Sequence, residues 1–258
     1  MSIVAGKLAV VSGAAQGLGR AFAECLADDG ARVLAFDVQE QFGNNLDQHE
    51  NVTPMKANAA KRRDVERVAA KAQAMGGADI LINNAGQWRE TLVTDPWDKA
   101  LADWDTIMDT NVKGVLMLSR ALVPQLIANG GGDIVNVSSY YVLPAKSDGT
   151  NPPDTDIYAA SKWALNGFTD AWGQYLAPHN IRVNALCMGA TDTPMLRQLY
   201  PEGRYPAELA EVVMSPTTIA NQLLTLLADG RSGENIGAWV GEPVTVGPEK
   251  LPHQRITD

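Results

Sequence analysis

Residues that bind metals or form disulfides are scarce in this chain. Its 258 residues include two cysteines, Cys25 and Cys187, and three histidines, His49, His179 and His253. None has a partner at ligand spacing, which argues against a metal centre and a disulfide framework. Positive charge is also in short supply. With 21 basic against 30 acidic residues the formal charge is −9, which disfavours nucleic acid and anionic membrane as partners. No apolar run reaches membrane-spanning length, and Met1 to Lys7 lacks both a charged leader and a long apolar core, so a cytoplasmic protein is expected. A serine on a strand-to-helix elbow is missing too: Ser138-Ser139 runs into Tyr140-Tyr141-Val142-Leu143-Pro144, which argues against a Ser–His–acid hydrolase. No linker, repeat or compositional break divides the chain. One α/β domain over residues 1–258 is expected, with 45% hydrophobic content to fill its core.

The first informative pattern is near the start. Lys7 to Ser12 is a short apolar run of strand character, Gly13-Ala14-Ala15-Gln16-Gly17-Leu18-Gly19 follows at once, and Ala21 to Ala27 is apolar at helical spacing. Glycines in such a turn let the backbone bend sharply and approach a bulky anion, and the following helix offers free amides and a positive dipole end to phosphate. Arg32 to Asp37 reads as a second strand that ends in an acid about 20 residues past the glycines, the position at which a dinucleotide fold meets a ribose. A carboxylate there accepts from the 2′- and 3′-hydroxyls and repels a 2′-phosphate; neither Gln16 nor Val38 supplies a compensating cation. The expected cofactor is NAD. The simpler role of Asp37 is to cap a turn at its strand end.

A second pattern lies further on. Tyr158 and Lys162 are four residues apart in Asp156-Ile157-Tyr158-Ala159-Ala160-Ser161-Lys162, a segment that reads as the first turns of a helix, so the two side chains share one face. An ammonium beside a phenol is expected to lower the phenol's pKa and fit it for proton transfer.

These motifs resemble the classical short-chain dehydrogenase/reductase family over nearly the whole chain. Ser12 to Gly19 matches its Thr-Gly-x-x-x-Gly-x-Gly turn with serine for threonine. Asn83-Asn84-Ala85-Gly86 is identical to its adenine-side motif. Asn111, the pair Ser138-Ser139 and the Tyr-x-x-x-Lys at 158 and 162 match its catalytic tetrad, with the second serine of the pair, Ser139, as the catalytic one. The resemblance implies a Rossmann-type doubly wound parallel sheet with helices on both faces. It implies that Tyr158 exchanges a proton with the substrate oxygen, that Ser139 holds that oxygen, that Lys162 lowers the tyrosine pKa and binds the nicotinamide ribose, and that Asn111 steadies a water at the end of a proton path, where a local helix kink could create the site. It further implies cofactor contacts from Gly13, Gln16, Gly17, Leu18, Gly19, Asp37, Asn58, Asn84, Ala85, Gly86, Gly189, Thr191 and Thr193, besides Tyr158 and Lys162. Two departures stand out: Met188-Gly189 replaces Pro-Gly, and Asn58 replaces an aspartate beside the adenine amine.

The implied activity is NAD-dependent interconversion of a secondary alcohol, on a hydroxylated ring or sugar, with a ketone. An NADPH-dependent carbonyl reductase and a non-catalytic nucleotide-sensing protein are the alternatives, although the latter would be expected to have lost a member of the tetrad. Two substrate loops are expected, about 140–157 and 189–215. Lys146 to Asp156, polar and longer than the family pattern, is expected to border the pocket and favour a hydroxyl-rich substrate. Pro194, Pro201, Gly203 and Pro206 should break the second loop into a lid with Met195, Leu196, Leu199 and Tyr200 toward the substrate, and Trp88 is either a pocket wall or packing. A homo-oligomer, dimer or tetramer, is expected, with Trp163, Phe168 and Trp172 as contact or core. The final strand is expected near Asn235 to Val240, with its ending atypical.

Overall fold

The apolar run after Lys7 forms β1 (Leu8–Ser12), buried at every position, and it takes a central place because both of its edges are paired. On one side lie β2 (Arg32–Asp37) and β3 (Val52–Lys56); on the other lie β4 (Ile80–Asn83), β5 (Gly132–Val137), β6 (Ile181–Met188) and β7 (Asn235–Ala238). The order is β3-β2-β1-β4-β5-β6-β7, all parallel, and a short β8 (Gly247–Pro248) runs antiparallel on β7. This computed structural model describes residues 2–43, 46–143, 152–238 and 247–248.

Parallel strands need crossovers, and the helices that supply them cover both faces. On one face α1 (Gly17–Asp28) and α8 (Pro216–Asp229) pack through Phe22, Leu26, Leu223 and Leu227 against Ala9, Val11 and Ile82. On the other, α2 (Arg62–Ala74), α4 (Val115–Ala128) and α5 (Asp156–Leu176) set Val68, Leu118, Leu122 and Leu176 against Leu8, Val10 and Leu81. Burying each such side chain is worth about 1.5–3 kcal/mol, so these two layers hold the sheet.

Three features position the site. The chain winds to opposite sides of the sheet from β1 and β4, which leaves a crevice beyond their carboxyl ends. The helix α3 (Trp97–Met108) continues into α4 through a wider turn with i→i+5 bonding at Asp109–Gly114, and Asn111 sits in that turn. The stretch after β6 is broken as its prolines require, into α6 (Pro194–Arg197), a single turn at Pro201–Gly203 and α7 (Ala207–Ala210). Strand β6 runs two residues beyond the expected Leu186, which places Met188 on the sheet. Strand β7 pairs in register with β6 from Ala185↔Asn235 to Met188↔Ala238; Trp239 and Val240, counted in the expected final strand, lie outside the described residues.

Candidate active site

The glycine turn fits the sheet edge through the absence of side chains. Gly13 and Gly17 adopt φ of 66° and 56°, which L side chains rarely do. A Cβ on Gly13 would come within 2.9 Å of Ala85 Cα, and one on Gly19 would strike the Gly13 carbonyl and the Asn84 amide. Gly19 therefore serves packing behind the turn, while Gly13, Gln16, Gly17 and Leu18 face a cleft of about 480 Å³. No side chain caps the N-terminus of α1 at Gln16, so its first amides are directed at that cleft without a protein partner of that kind.

A web of hydrogen bonds ties the turn to the end of β4. The Ser12 hydroxyl accepts from the backbone N–H groups of Asn84 at 2.9 Å and Ala85 at 3.0 Å and donates to the Ile82 carbonyl. The Asn84 amide donates to the carbonyls of Ser12 at 2.9 Å and Gly13 at 3.1 Å. Asn83 turns the other way, donating to Asn136 Oδ1 at 2.9 Å and Ser119 Oγ at 3.1 Å, and Asn136 in turn donates to Thr169. The two asparagines of one motif thus do separate work: one straps the glycine turn, the other pins β4, β5, α4 and α5 beneath the cleft.

Asp37 lines the cleft at the end of β2, as expected, and it caps a turn as well. Its carboxylate accepts from the backbone N–H groups of Ala15 at 3.1 Å and Gln39 at 2.9 Å. Asn58 also lines the cleft, but its side-chain oxygen accepts from the Ala60 N–H at 2.8 Å, so that lone pair is engaged within its own turn. Gly86, Gly189, Thr191 and Thr193 line the same cleft. Thr191 Oγ1 donates to the Gly189 carbonyl at 3.1 Å, and Thr193 caps α6 by accepting from the Leu196 N–H at 3.2 Å.

The tetrad residues converge from three elements. Ser139 follows β5 and its hydroxyl caps the short turn Tyr140–Val142. Tyr158 and Lys162 occupy one face of α5, with the lysine nitrogen 5.5 Å from the centre of the tyrosine ring and donating to the Val137 carbonyl at 2.8 Å. Asn111 stands one layer behind the cleft. Its carbonyl accepts from the Gln87 N–H at 2.7 Å, and its amide donates to the Gln87 carbonyl and the Ser161 hydroxyl, each at 3.0 Å. Neighbouring Ser138 is buried, with no hydrogen-bond partner for its hydroxyl among the described residues.

The electrostatics correct one expectation. Burial, with the Tyr140 phenol adding to it, raises the Tyr158 pKa above the ordinary phenol value. Burial also lowers Lys162 from 10.5 to about 8. The lysine was expected to depress the tyrosine; here the cost of placing charge in a poorly solvated site dominates both residues, so the Tyr158 phenol is protonated at neutral pH.

The spacing of motifs did not reveal the walls around Tyr158. Tyr140 and Tyr141 stack edge to face with ring centres 4.7 Å apart, and Tyr141 meets the Tyr158 ring at 6.0 Å, almost perpendicular. The run Ser-Ser-Tyr-Tyr was the available signal. The expected lid residues Met195, Leu196, Leu199 and Tyr200 all line the cleft, and Trp88 is a wall of it. The segment 144–151, which holds six of the eleven residues from Lys146 to Asp156, lies outside the described residues.

A doubly wound parallel sheet whose glycine turn and Tyr/Lys pair open into one cleft at the topological switch is the architecture of a dinucleotide-dependent oxidoreductase. Residues 7–203 match the family model for short chain dehydrogenase. The chain is 34% identical over 245 residues to a 3-oxoacyl-(acyl-carrier-protein) reductase of Thermotoga maritima, a match covering 90% of this chain and 96% of the relative. It is 30% identical over 226 residues to an uncharacterized oxidoreductase of Staphylococcus aureus, covering 84% and 94%. Among solved structures, a 3-ketoacyl-(acyl-carrier-protein) reductase from Brucella melitensis complexed with NADH superposes with a TM-score of 0.76 at 27% identity, covering 91% of this chain and 97% of that one. The fold is also shared, with a TM-score of 0.81 at 24% identity and coverage of 92% and 93%, with a protein described as ribose-5-phosphate isomerase from the same organism. The chain belongs to the short-chain dehydrogenase family, and is an oxidoreductase of that class that binds a nicotinamide cofactor. Among the described residues no helix is long and apolar enough to cross a membrane, and no cluster of His, Cys, Asp and Glu could hold a metal.

Proposed function

We propose that this protein is an NAD-dependent oxidoreductase that interconverts a secondary alcohol and a ketone. The observation that carries the reading is the joining, in one cleft, of the Ser139, Tyr158 and Lys162 side chains at one end with the Asp37 carboxylate at the other. The residues fit the cofactor: an uncapped helix end and a glycine turn for its phosphates, and a strand-end carboxylate for its adenosine ribose. Gly13, Gln16, Gly17, Leu18, Asp37, Asn84, Ala85 and Gly86 would hold the adenosine half, with Gly19 shaping the turn from behind and Asn58 at the adenine edge. Lys162, Gly189, Thr191 and Thr193 would hold the nicotinamide half. When bound, the nicotinamide gives or accepts the hydride.

The Tyr158 phenol, protonated at neutral pH, gives its proton to the ketone oxygen; in the reverse direction the phenolate, formed when that proton has left by way of Lys162, takes the proton from the alcohol. Ser139 holds that oxygen through its hydroxyl, which is both donor and acceptor. Lys162 binds the ribose hydroxyls and passes protons between the tyrosine and the layer behind. Asn111 closes that layer: its amide reaches Ser161 and Gln87 in the widened turn at Asp109–Gly114. The proposed unit is one catalytic domain over residues 1–258, with substrate loops about 140–157 and 189–215, acting in the cytoplasm.

A homo-oligomer is part of the proposal. Trp97, Leu101 and Trp104 are spaced along one face of α3 and are 82%, 57% and 48% exposed. Trp163 is exposed on α5, whereas Phe168 and Trp172 stack at 4.4 Å and Trp172 packs against the core.

The decisive assay follows absorbance of reduced nicotinamide with purified protein, a panel of alcohols and ketones, and NAD(H) against NADP(H). Turnover with preference for NAD is the expected result. Preference for NADP would support the alternative that the similarity to an acyl-carrier-protein reductase favours, a reductase of carbonyls, and would overturn the argument from Asp37.

A further inference from the structure

We infer that the substrate end of this cleft selects an uncharged, ring-bearing ketone or alcohol over an anionic or open-chain one. The inference rests on the proposed chemistry at Tyr158 and adds the class of substrate.

Three observations converge. The first is the wall. Tyr140 and Tyr141 follow Ser139 directly, and the Tyr141 ring stands edge-on to Tyr158 at 6.0 Å and 89°. Trp88, Met195, Leu199 and Tyr200 line the same cleft. Rings and thioethers meet a flat apolar body through offset and edge contacts, while the polar atoms of this wall are confined to the tyrosine hydroxyls and the Trp88 indole N–H. This wall favours a ring; the expectation of a hydroxyl-rich substrate rests on Lys146 to Asp156, of which residues 146–151 lie outside the described residues.

The second observation is charge. Among the described residues, Asp37 and Lys162 are the charged side chains that line the cleft, and Lys162 is committed to the Val137 carbonyl, with burial disfavouring its ammonium. Among the described residues, a carboxylate or phosphate on the substrate would face phenols and aliphatic groups, without a guanidinium in the lining to hold it.

The third is preorganisation. Tyr200 meets the Tyr205 ring edge to face at 5.5 Å. The Tyr205 hydroxyl donates to Asp192 at 2.8 Å, and Arg197 clamps both oxygens of Asp192 at 2.6 and 2.7 Å while its guanidinium lies 5.4 Å from the Tyr205 ring. Asp192 stands between the cleft residues Thr191 and Thr193. The clasp joins the lid to the cofactor side and holds Tyr200 as a built wall.

The test compares acetophenone, 4-acetylbenzoate and the N-acetylcysteamine thioester of acetoacetate. Reduction is followed by absorbance, and binding to the NADH-loaded protein by calorimetry. Acetophenone is expected to exceed both others by about tenfold or more in kcat/KM and in affinity. In Leu199→Arg, a change at a partly exposed wall position, the ratio of 4-acetylbenzoate to acetophenone should rise by about tenfold, because a cation then faces the carboxylate. Tyr200→Ala should cut the preference for acetophenone several-fold and leave NADH affinity unchanged. Selective binding of acetophenone without turnover would sink the proposed activity and leave the ring preference standing. Best use of the thioester, or equal use of all three, would overturn the ring preference while the activity stood. Neither binding nor turnover of any of the three would overturn both.

Discussion

At the glycine-turn end of the cleft, side chains are tied to main chain across the sheet: Ser12 and Asn84 lash β1 to β4, and Asp37 holds the backbone of Ala15 and Gln39. At the tyrosine end, rings touch rings and the lid is clasped by an exposed ion pair, Asp192 with Arg197. The first kind of construction tolerates little change, since each hydrogen bond satisfies a backbone group that is at least partly buried. The second can be repacked at small cost, because aromatic contacts lack a single obligatory geometry. The strapped glycine-turn end and the ring-walled tyrosine end therefore have different physical origins within one cleft.

The sharpest challenge to this comparison comes where the two ends meet. Tyr158→Phe keeps the ring and removes the proton donor. Steady-state kinetics should show kcat reduced on the order of 100-fold or more, with NAD affinity from calorimetry little changed. Near-normal turnover would defeat the assignment of Tyr158.

Lys162 provides a pH test at the same junction. Its pKa falls from 10.5 unfolded to about 8 folded, so between those values the unfolded chain binds more protons and native stability rises with pH. Below pH 8 the protonated amine is carried in both states and the penalty is at its full extent. Lys162→Met lacks that penalty. Its stability relative to the parent should decline by about 2–3 kcal/mol between pH 7 and pH 10, read by urea denaturation at each pH. A constant difference would show that burial does not depress the lysine.

At the tightly strapped end, Gly19→Ala places a methyl against the Gly13 carbonyl and Asn84. A loss of about 2 kcal/mol in unfolding free energy is expected, and a neutral result would mean that the turn is as adaptable as the lid. Asp37→Ala should then change the discrimination between NAD and NADP by about 1.5 kcal/mol in favour of NADP, measured as a ratio of kcat/KM. The smallest effect belongs to the clasp. Tyr205→Phe removes one partly exposed hydrogen bond to Asp192 and should raise KM for the preferred substrate about two- to threefold with kcat unaltered. A larger effect on NAD than on substrate would erase the distinction between the two ends.

The chain's order of elements was legible because strand, turn and helix signals are local. The run after Lys7, the glycines at 13 and 17, and the Tyr158/Lys162 spacing each depend on residues within a turn or two. So were the prolines that break the lid at Pro194, Pro201 and Pro206. The widened turn at Asn111 was anticipated from the residue's implied role as a kink, since nothing in Asn111-Val112-Lys113-Gly114 announces i→i+5 bonding. The partition of Asn83 and Asn84 between two networks was not legible, because it depends on which face of β4 meets Asn136.

By itself the sequence determined the fold class, the glycine turn, the strand-end acid and the pairing of a phenol with an ammonium, since these follow from periodicity, backbone freedom and spacing. Tertiary structure alone decided the direction in which that pair titrates, because desolvation depends on what other elements bring to the site. It also decided the character of the cleft wall around Tyr158. Trp88, Tyr140, Tyr141 and Tyr200 come from three separate connections, and their convergence is set by where β4, β5 and β6 end, at distances along the chain too great for any local pattern to encode.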